Sequence, residues 1–222
     1  MSDARRIGAE ALGSALLTGT VVGSGVLASR LSAGNDSVAL LGNTLATASM
    51  LYVLISALGP VSGAHFNPAV TLVMALRRDL RVGSAMGYVL AQIAGCVAGA
   101  CLAHAMFELP LIQISTHVRA GPAQILSEVV ATFALLFCIL GVGRWRAEAL
   151  PAAVALVIAA GYWWTASTSF ANPAITIARS LSDTFSGVRP TDVPGFIAGQ
   201  FAGALLAWRV SAALFGPQTT AG

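Results

Sequence analysis

Long uncharged runs alternate with short clusters of charge along this chain, and the distance between clusters predicts the elements. Residues 11–29, 82–107, about 122–143 and the core stretch 193–208 each suit one helix of the roughly 20 residues that cross a bilayer. Residues 37–76 and 149–178 are too long for a single span. A full span over about 38–58, or about 150–168, followed by a half-length helix starting at Pro68 or Pro173, takes up each excess. The pattern predicts an all-α membrane protein with six transmembrane helices plus two half-helices.

Both overlong runs end on one short phrase, Asn67-Pro68-Ala69-Val70-Thr71 and Asn172-Pro173-Ala174-Ile175-Thr176. Proline suits the first helical position, where its missing N–H would have had no partner, and the asparagine before it becomes the N-cap. The loops at 59–64 and 167–170 then carry the chain from the membrane surface to its middle, which irregular backbone tolerates only beside a water-filled cavity. Half-helices meeting N-terminus to N-terminus place two positive dipole ends at the midplane and repel a cation. Asn67 and Asn172 can accept from backbone N–H groups and turn their NH2 donors to the lumen, where a neutral solute exchanges them for water. Such a site binds weakly and performs no reaction, as a passive pore requires.

The halves match elsewhere. Gly87-x-x-x-Ala91-Gln92-x-x-Gly95-x-x-x-Gly99 superposes without a gap on Gly195-x-x-x-Gly199-Gln200-x-x-Gly203-x-x-x-Ala207, and Glu10 and Glu128 stand at the same place in the first helix of each half. Each half has three spans, an odd number, so the second enters from the opposite side and the repeat is inverted. Residues 1–222 read as a single channel domain, with repeats over about 5–107 and 121–216. With the N-terminus inside, arginines 5, 6, 77, 78, 81, 144, 146 and 209 are cytoplasmic and 30, 119, 179 and 189 are not, the bias expected of an inner-membrane protein with both termini in the cytoplasm.

Composition agrees: 56% hydrophobic, 9% charged and a mean hydropathy of +0.79, against roughly 25% charged in soluble domains. All 12 basic residues are arginines scattered between spans, which gives no nucleic-acid-binding patch. The lipid bilayer and small uncharged solutes are the expected partners. Cys96, Cys101 and Cys138 lie in apolar runs without metal or disulfide spacing, and no cluster of His, Cys, Asp or Glu suggests a metal, a cofactor or an enzyme. Arg5 and Arg6 before residues 11–29 have the outline of a signal peptide, but Glu10 and the following spans favour a retained helix. Glu10 and Glu128 leave a second reading open, a proton-coupled inverted-repeat transporter.

The stretch Ser62-Gly63-Ala64-His65-Phe66-Asn67-Pro68-Ala69-Val70-Thr71, the second Asn-Pro-Ala and the paired Glu and Gln residues resemble the aquaporin, or major intrinsic protein, family along the whole chain. Asn172-Pro173-Ala174 followed by Ile175-Thr176-Ile177-Ala178-Arg179-Ser180 is similar to bacterial aquaglyceroporin-like and metalloid-channel branches. The resemblance implies one pore per subunit, a homotetramer, and a supporting role for Glu10 and Glu128 beneath the loops. It also implies a constriction at Thr47, Ala160, Ser169 and Ile175, where most of the family carries an arginine in place of Ile175. Gly161 is the alternative to Ala160 if the count slips, and rotation of the fifth helix could bring Tyr162, Trp163 or Trp164 inward. The implied filter is small and aliphatic, without fixed charge or aromatic wall, unless Arg179, one turn beyond Ile175, supplies charge at the mouth instead of capping at an interface. His65 either borders the inner vestibule or orders its loop. The implied cargo is glycerol-like polyols, neutral metalloid hydroxides such as arsenous acid, and water. The alternative within the family is a water-selective channel.

Overall fold

The computed structural model describes residues 2–216. The expected cytoplasmic placement of the two chain ends therefore falls partly on Met1 and 217–222, outside the described residues. Eight α-helices follow one another among them: α1 (Asp3–Leu31), α2 (Asp36–Ser62), α3 (Pro68–Leu76), α4 (Val82–Met106), α5 (Pro122–Trp145), α6 (Leu150–Trp164), α7 (Pro173–Arg179) and α8 (Val193–Phe215). Six of them, counting the 3₁₀ turn before α6 as part of it, are long and apolar enough to cross a membrane, while α3 and α7 are the half-helices.

Helix α1 starts at Asp3, eight residues before the expected 11, and two further boundaries that differ from the sequence expectation flank the half-helix loops. Helix α2 runs through Pro60 to Ser62 rather than stopping near 58. The proline sits in the last turn, where it frees one carbonyl, and the end is satisfied by left-handed Gly63 and by the Tyr88 hydroxyl, which donates to the Ser62 carbonyl at 2.8 Å. Helix α6 stops at Trp164, four residues before the expected 168. The Thr165 hydroxyl takes the Gly161 carbonyl at 2.7 Å, and Thr168 and Ser169 adopt φ of 59° and 52°, which no α-helix accommodates.

The halves interlock. Helix α1 packs along α4 and α5 along α8, α2 meets α6, and each half-helix touches both α4 and α8. Backbone-to-backbone approach at the first two crossings depends on the glycines of the repeated pattern. A Cβ at Gly95 or Gly99 would run into the Ala11 or Ala15 carbonyl, and one at Gly199 would lie 2.8 Å from the Ile125 carbonyl. Gly95→Val is therefore expected to lower the melting temperature in detergent sharply, the overpacking costing about 3 kcal/mol or more. Gly8→Val, where nothing lies within 4 Å, serves as the control and is expected to melt close to wild type. Similar melting of the two variants would refute the close crossing.

Candidate functional site

Each half-helix begins where its sequence predicts, and its asparagine does two jobs. Asn67 Oδ1 accepts from the Ala69 N–H at 2.9 Å, and Asn172 Oδ1 accepts from Ala174 at 3.0 Å and Ile175 at 3.3 Å. The amide of Asn67 donates to the Ala171 carbonyl and that of Asn172 to the Phe66 carbonyl, both at 2.7 Å. One N–H of each asparagine thus ties its loop to the opposite one, so at most one of its two donors is left for the lumen, a correction to the expectation that both face it.

The loops that present these caps share an irregular backbone. Positive φ occurs at Gly63, Ala64 and Phe66 in the first and at Thr168, Ser169 and Ala171 in the second, at matching distances from the asparagines. Non-glycine residues there cost about 1–3 kcal/mol each and persist only when the surroundings over-determine them. A buried carboxylate does so in each half. Glu10 accepts from Ser62 Oγ (2.6 Å), His65 N (3.0 Å), Phe66 N (2.7 Å) and Gln92 Nε2 (2.8 Å). Glu128 accepts from Ser167 Oγ (2.5 Å), Phe170 N (3.0 Å), Ala171 N (2.9 Å) and Gln200 Nε2 (2.6 Å). The same glutamines reach Thr71 and Thr176, whose hydroxyls donate to the asparagine carbonyls, so loop, cap and third helix form one network per repeat. Both glutamates are fully buried and neither lines the central cavity.

That cavity, about 280 Å³, contains both asparagines. Its wall repeats every four residues: Thr47, Leu51 and Ile55 on α2, and Leu150, Val154, Ile158 and Tyr162 on α6, the latter covering about 18 Å of helix. Leu17, Val21, Leu135 and Ile139 complete an aliphatic side, while Thr47, His65, Asn67, Tyr162, Ser169, Asn172 and Arg179 supply polar side chains. A further cavity of about 400 Å³ shares Gly63, His65 and Met74 with it and is bordered by Arg6 and Asp79. Besides lining both spaces, His65 orders its loop, with Nδ1 3.1 Å from Thr71 Oγ1 and the ring edge-on to Tyr88.

Of the four expected constriction residues, Thr47, Ser169 and Ile175 line the cavity and Ala160 does not. Ala160 is exposed on the outer face of α6, and Gly161 abuts Ser169, where a Cβ would lie 2.5 Å from its Oγ. The cavity position belongs to Tyr162, whose hydroxyl lies 3.4 Å from Thr47 Oγ1, while Trp163 and Trp164 point outward. Sequence reasoning offers Tyr162 only as an outcome of helix rotation and leaves it out of the expected constriction, although the four-residue stripe 150, 154, 158, 162 carries the signal. Arg179 is 3% exposed, lies with Cζ 3.3 Å from the Phe170 ring centroid, and donates from Nε to the Ser186 carbonyl. The expectation of a lumen without an aromatic wall is thereby corrected by a phenol, and of the two alternatives for Arg179 the cavity lining includes its guanidinium.

At this end of the bundle, residues 107–121 pack on the segment after α7. Gln113 N donates to Leu181 O, Ser115 N to Ser180 O and Arg189 N to His117 O. The Thr116 backbone N–H and hydroxyl hold the exposed Asp183 carboxyl below its ordinary value.

Residues 1–146 match the family model described as MIP, major intrinsic protein. The chain belongs to that family. It is 55% identical over 203 residues to aquaglyceroporin AqpS of Rhizobium meliloti, covering 91% of this chain and 87% of that one. It is 31% identical to aquaporin Z of Bradyrhizobium diazoefficiens, over 80% of this chain and 79% of that one. The X-ray structure of the aquaglyceroporin from Plasmodium falciparum shares the fold with a TM-score of 0.72 at 22% identity, covering 97% of this chain and 98% of that one. This major intrinsic protein is therefore an integral membrane channel for small solutes, not an enzyme. With its paired carboxylates saturated by loop donors away from the lumen, nothing in the geometry supports proton-coupled transport.

Proposed function

We propose that this channel passes glycerol-like polyols, neutral metalloid hydroxides such as arsenous acid, and water by passive diffusion across a bacterial inner membrane. Each subunit of a homotetramer carries one pore, and both termini are cytoplasmic. The observation that carries the reading is the mixed lumen: α1, α2, α5 and α6 contribute mostly aliphatic side chains, and both asparagine loops contribute polar groups. A polyol can lay its carbons on the aliphatic side chains and its hydroxyls on the polar groups, and so lose little on leaving water. The name of the Rhizobium relative, an aquaglyceroporin, points the same way. The arginine bias supports an orientation with the Arg179 end of the pore outside. Pro68, Ala69, Pro173 and Ala174 shape the caps, and Thr47, His65, Asn67, Ser169, Asn172, Ile175 and Arg179 are the proposed lumen residues, now joined by Tyr162.

A water-selective channel is the second reading, and it gains from Tyr162 and Arg179 reaching the lumen. Light scattering by proteoliposomes challenged in turn with sucrose, glycerol and arsenous acid separates the two. Under the proposed function the vesicles shrink in sucrose at an accelerated rate, and reswell in glycerol and in arsenous acid faster than protein-free controls. Accelerated water movement without reswelling in either solute would leave the water-selective reading standing and sink the wider one.

A further inference from the structure

We propose that His104, remote from the lumen at the end of α4, is the positioning residue for Arg179, through a chain of hydroxyls in the segment 182–186. The inference rests on the proposed reading of Arg179 as the lumen cation.

His104 is fully buried and both ring nitrogens are engaged, Nδ1 at 2.8 Å from the Leu111 carbonyl and Nε2 at 2.8 Å from Ser182 Oγ. A carbonyl only accepts, so Nδ1 carries the proton, and in the tautomer with Nε2 bare that nitrogen accepts from the Ser182 hydroxyl. That assignment sets the direction of the rest. Ser182 Oγ lies 2.9 Å from Thr184 Oγ1, which lies 3.3 Å from Ser186 Oγ, and each hydroxyl can donate toward the histidine. The chain ends on the residue whose backbone carbonyl accepts from Arg179 Nε. The next carbonyl, Gly187, accepts from Arg119 Nε at 2.9 Å, and a Cβ at Gly187 would collide with Ser115 Oγ and the Ser182 carbonyl, so the turn is closed against its neighbours. Arg119 and Arg179 both lie over the Phe170 ring. Two guanidinium groups sharing one ring repel each other, and the anchored carbonyls at 186 and 187 hold them in place.

The inverted repeat supplies an internal control. The residue matching Arg179 in the first half-helix is Met74, which also lines the cavity but carries no charge, and the α8 residue matching His104 is Ala212. The imidazole is present only where a lumen arginine needs an anchor, whereas the glutamates, glutamines and threonines of the scaffold occur in both halves. A scaffold role would predict the histidine twice.

The test compares wild type, His104→Ala, Arg179→Ala and the double variant in proteoliposomes. It reads the ratio of cation leak to glycerol flux, which does not depend on how many channels fold. His104→Ala is expected to raise that ratio about tenfold, because a guanidinium that drifts a few ångströms from the path repels a cation less. In the Arg179→Ala background the same substitution is expected to change nothing further, as residues acting in series do. Ser182→Ala removes one hydroxyl of the chain without touching the packing of the ring and is expected to shift the ratio in the same direction, which keeps the test open should His104→Ala fail to fold. An unchanged ratio in His104→Ala and Ser182→Ala, with a raised ratio in Arg179→Ala, would overturn the positioning role alone. An unchanged ratio in Arg179→Ala would overturn the lumen-cation reading itself.

Discussion

Glu128→Leu is expected to yield no folded channel. The substitution removes the acceptor for the Ser167 hydroxyl, the Phe170 and Ala171 N–H groups and the Gln200 amide at once, in a site with no access to solvent. A buried donor left without a partner costs about 1–3 kcal/mol, so four cost about 4–12 kcal/mol, against about 5–15 kcal/mol for the whole stability of a domain. The loss falls on the loop that also holds Thr168, Ser169 and Ala171 at positive φ, and leaves it the Asn67 amide donating to the Ala171 carbonyl and the Ala166 N–H donating to the Ser127 hydroxyl. Size-exclusion in detergent followed by water-permeability measurement checks this. A monodisperse, conducting Glu128→Leu protein would mean that the carboxylate does not support the loop. Glu128→Gln retains an oxygen acceptor and is expected to melt earlier but still conduct passively. If its flux were abolished, and wild-type flux rose with an imposed proton gradient, the carboxylate would return to a coupling role.

The parts of the fold that were legible in the sequence are those set by local chemistry or by repetition. Two prolines at N1 after asparagines, in runs too long for one span, give both half-helices, and α3 and α7 begin at those prolines. The duplicated glutamates and glutamines mark the two support networks, because an inverted repeat needs every support twice. Arg179 was reachable because it shares α7 with Asn172 and Ile175, so the helical period carries its orientation across four residues. Tyr162 stays one of three alternatives in the sequence for the opposite reason. The family spacing that implies Ala160 reaches α6 from Asn172 through 165–171, which are not helical, and an offset of two residues turns a side chain by about 200°. Counting within α6 alone keeps the phase. The hydroxyl chain from His104 to Ser186 could not be read at all, since its first link joins His104 to Ser182, 78 residues apart, and 182–186 have no helical period to set their phase.

Arg179→Ala is expected to convert a neutral-solute pore into one that leaks cations. Ile175 is an uncharged side chain at the position where the family resemblance implies an arginine, so the proposed barriers to a cation in the lumen are the dipole ends of α3 and α7 and the Arg179 guanidinium. A monovalent cation passing about 5 Å from that charge, at an effective dielectric of about 20, meets about 3 kcal/mol of repulsion, which corresponds to about a hundredfold in rate. Glycerol carries no charge and is expected to move no more slowly, because the alanine also removes bulk from the wall shared with Tyr162 and Ile175. The two fluxes should therefore separate: proton leak, read with a pH-sensitive dye under valinomycin, rises by one to two orders of magnitude, while glycerol reswelling stays level or quickens. Ile175→Arg makes the converse case. It places a second guanidinium one turn from the first, where like charges at i,i+4 repel, and it fills the lumen, so glycerol and arsenous acid should slow more than water. A parallel fall of all solutes in Ile175→Arg would mean that this position does not select by size, and an unchanged cation leak in Arg179→Ala would leave the half-helix dipoles as the sole charge barrier.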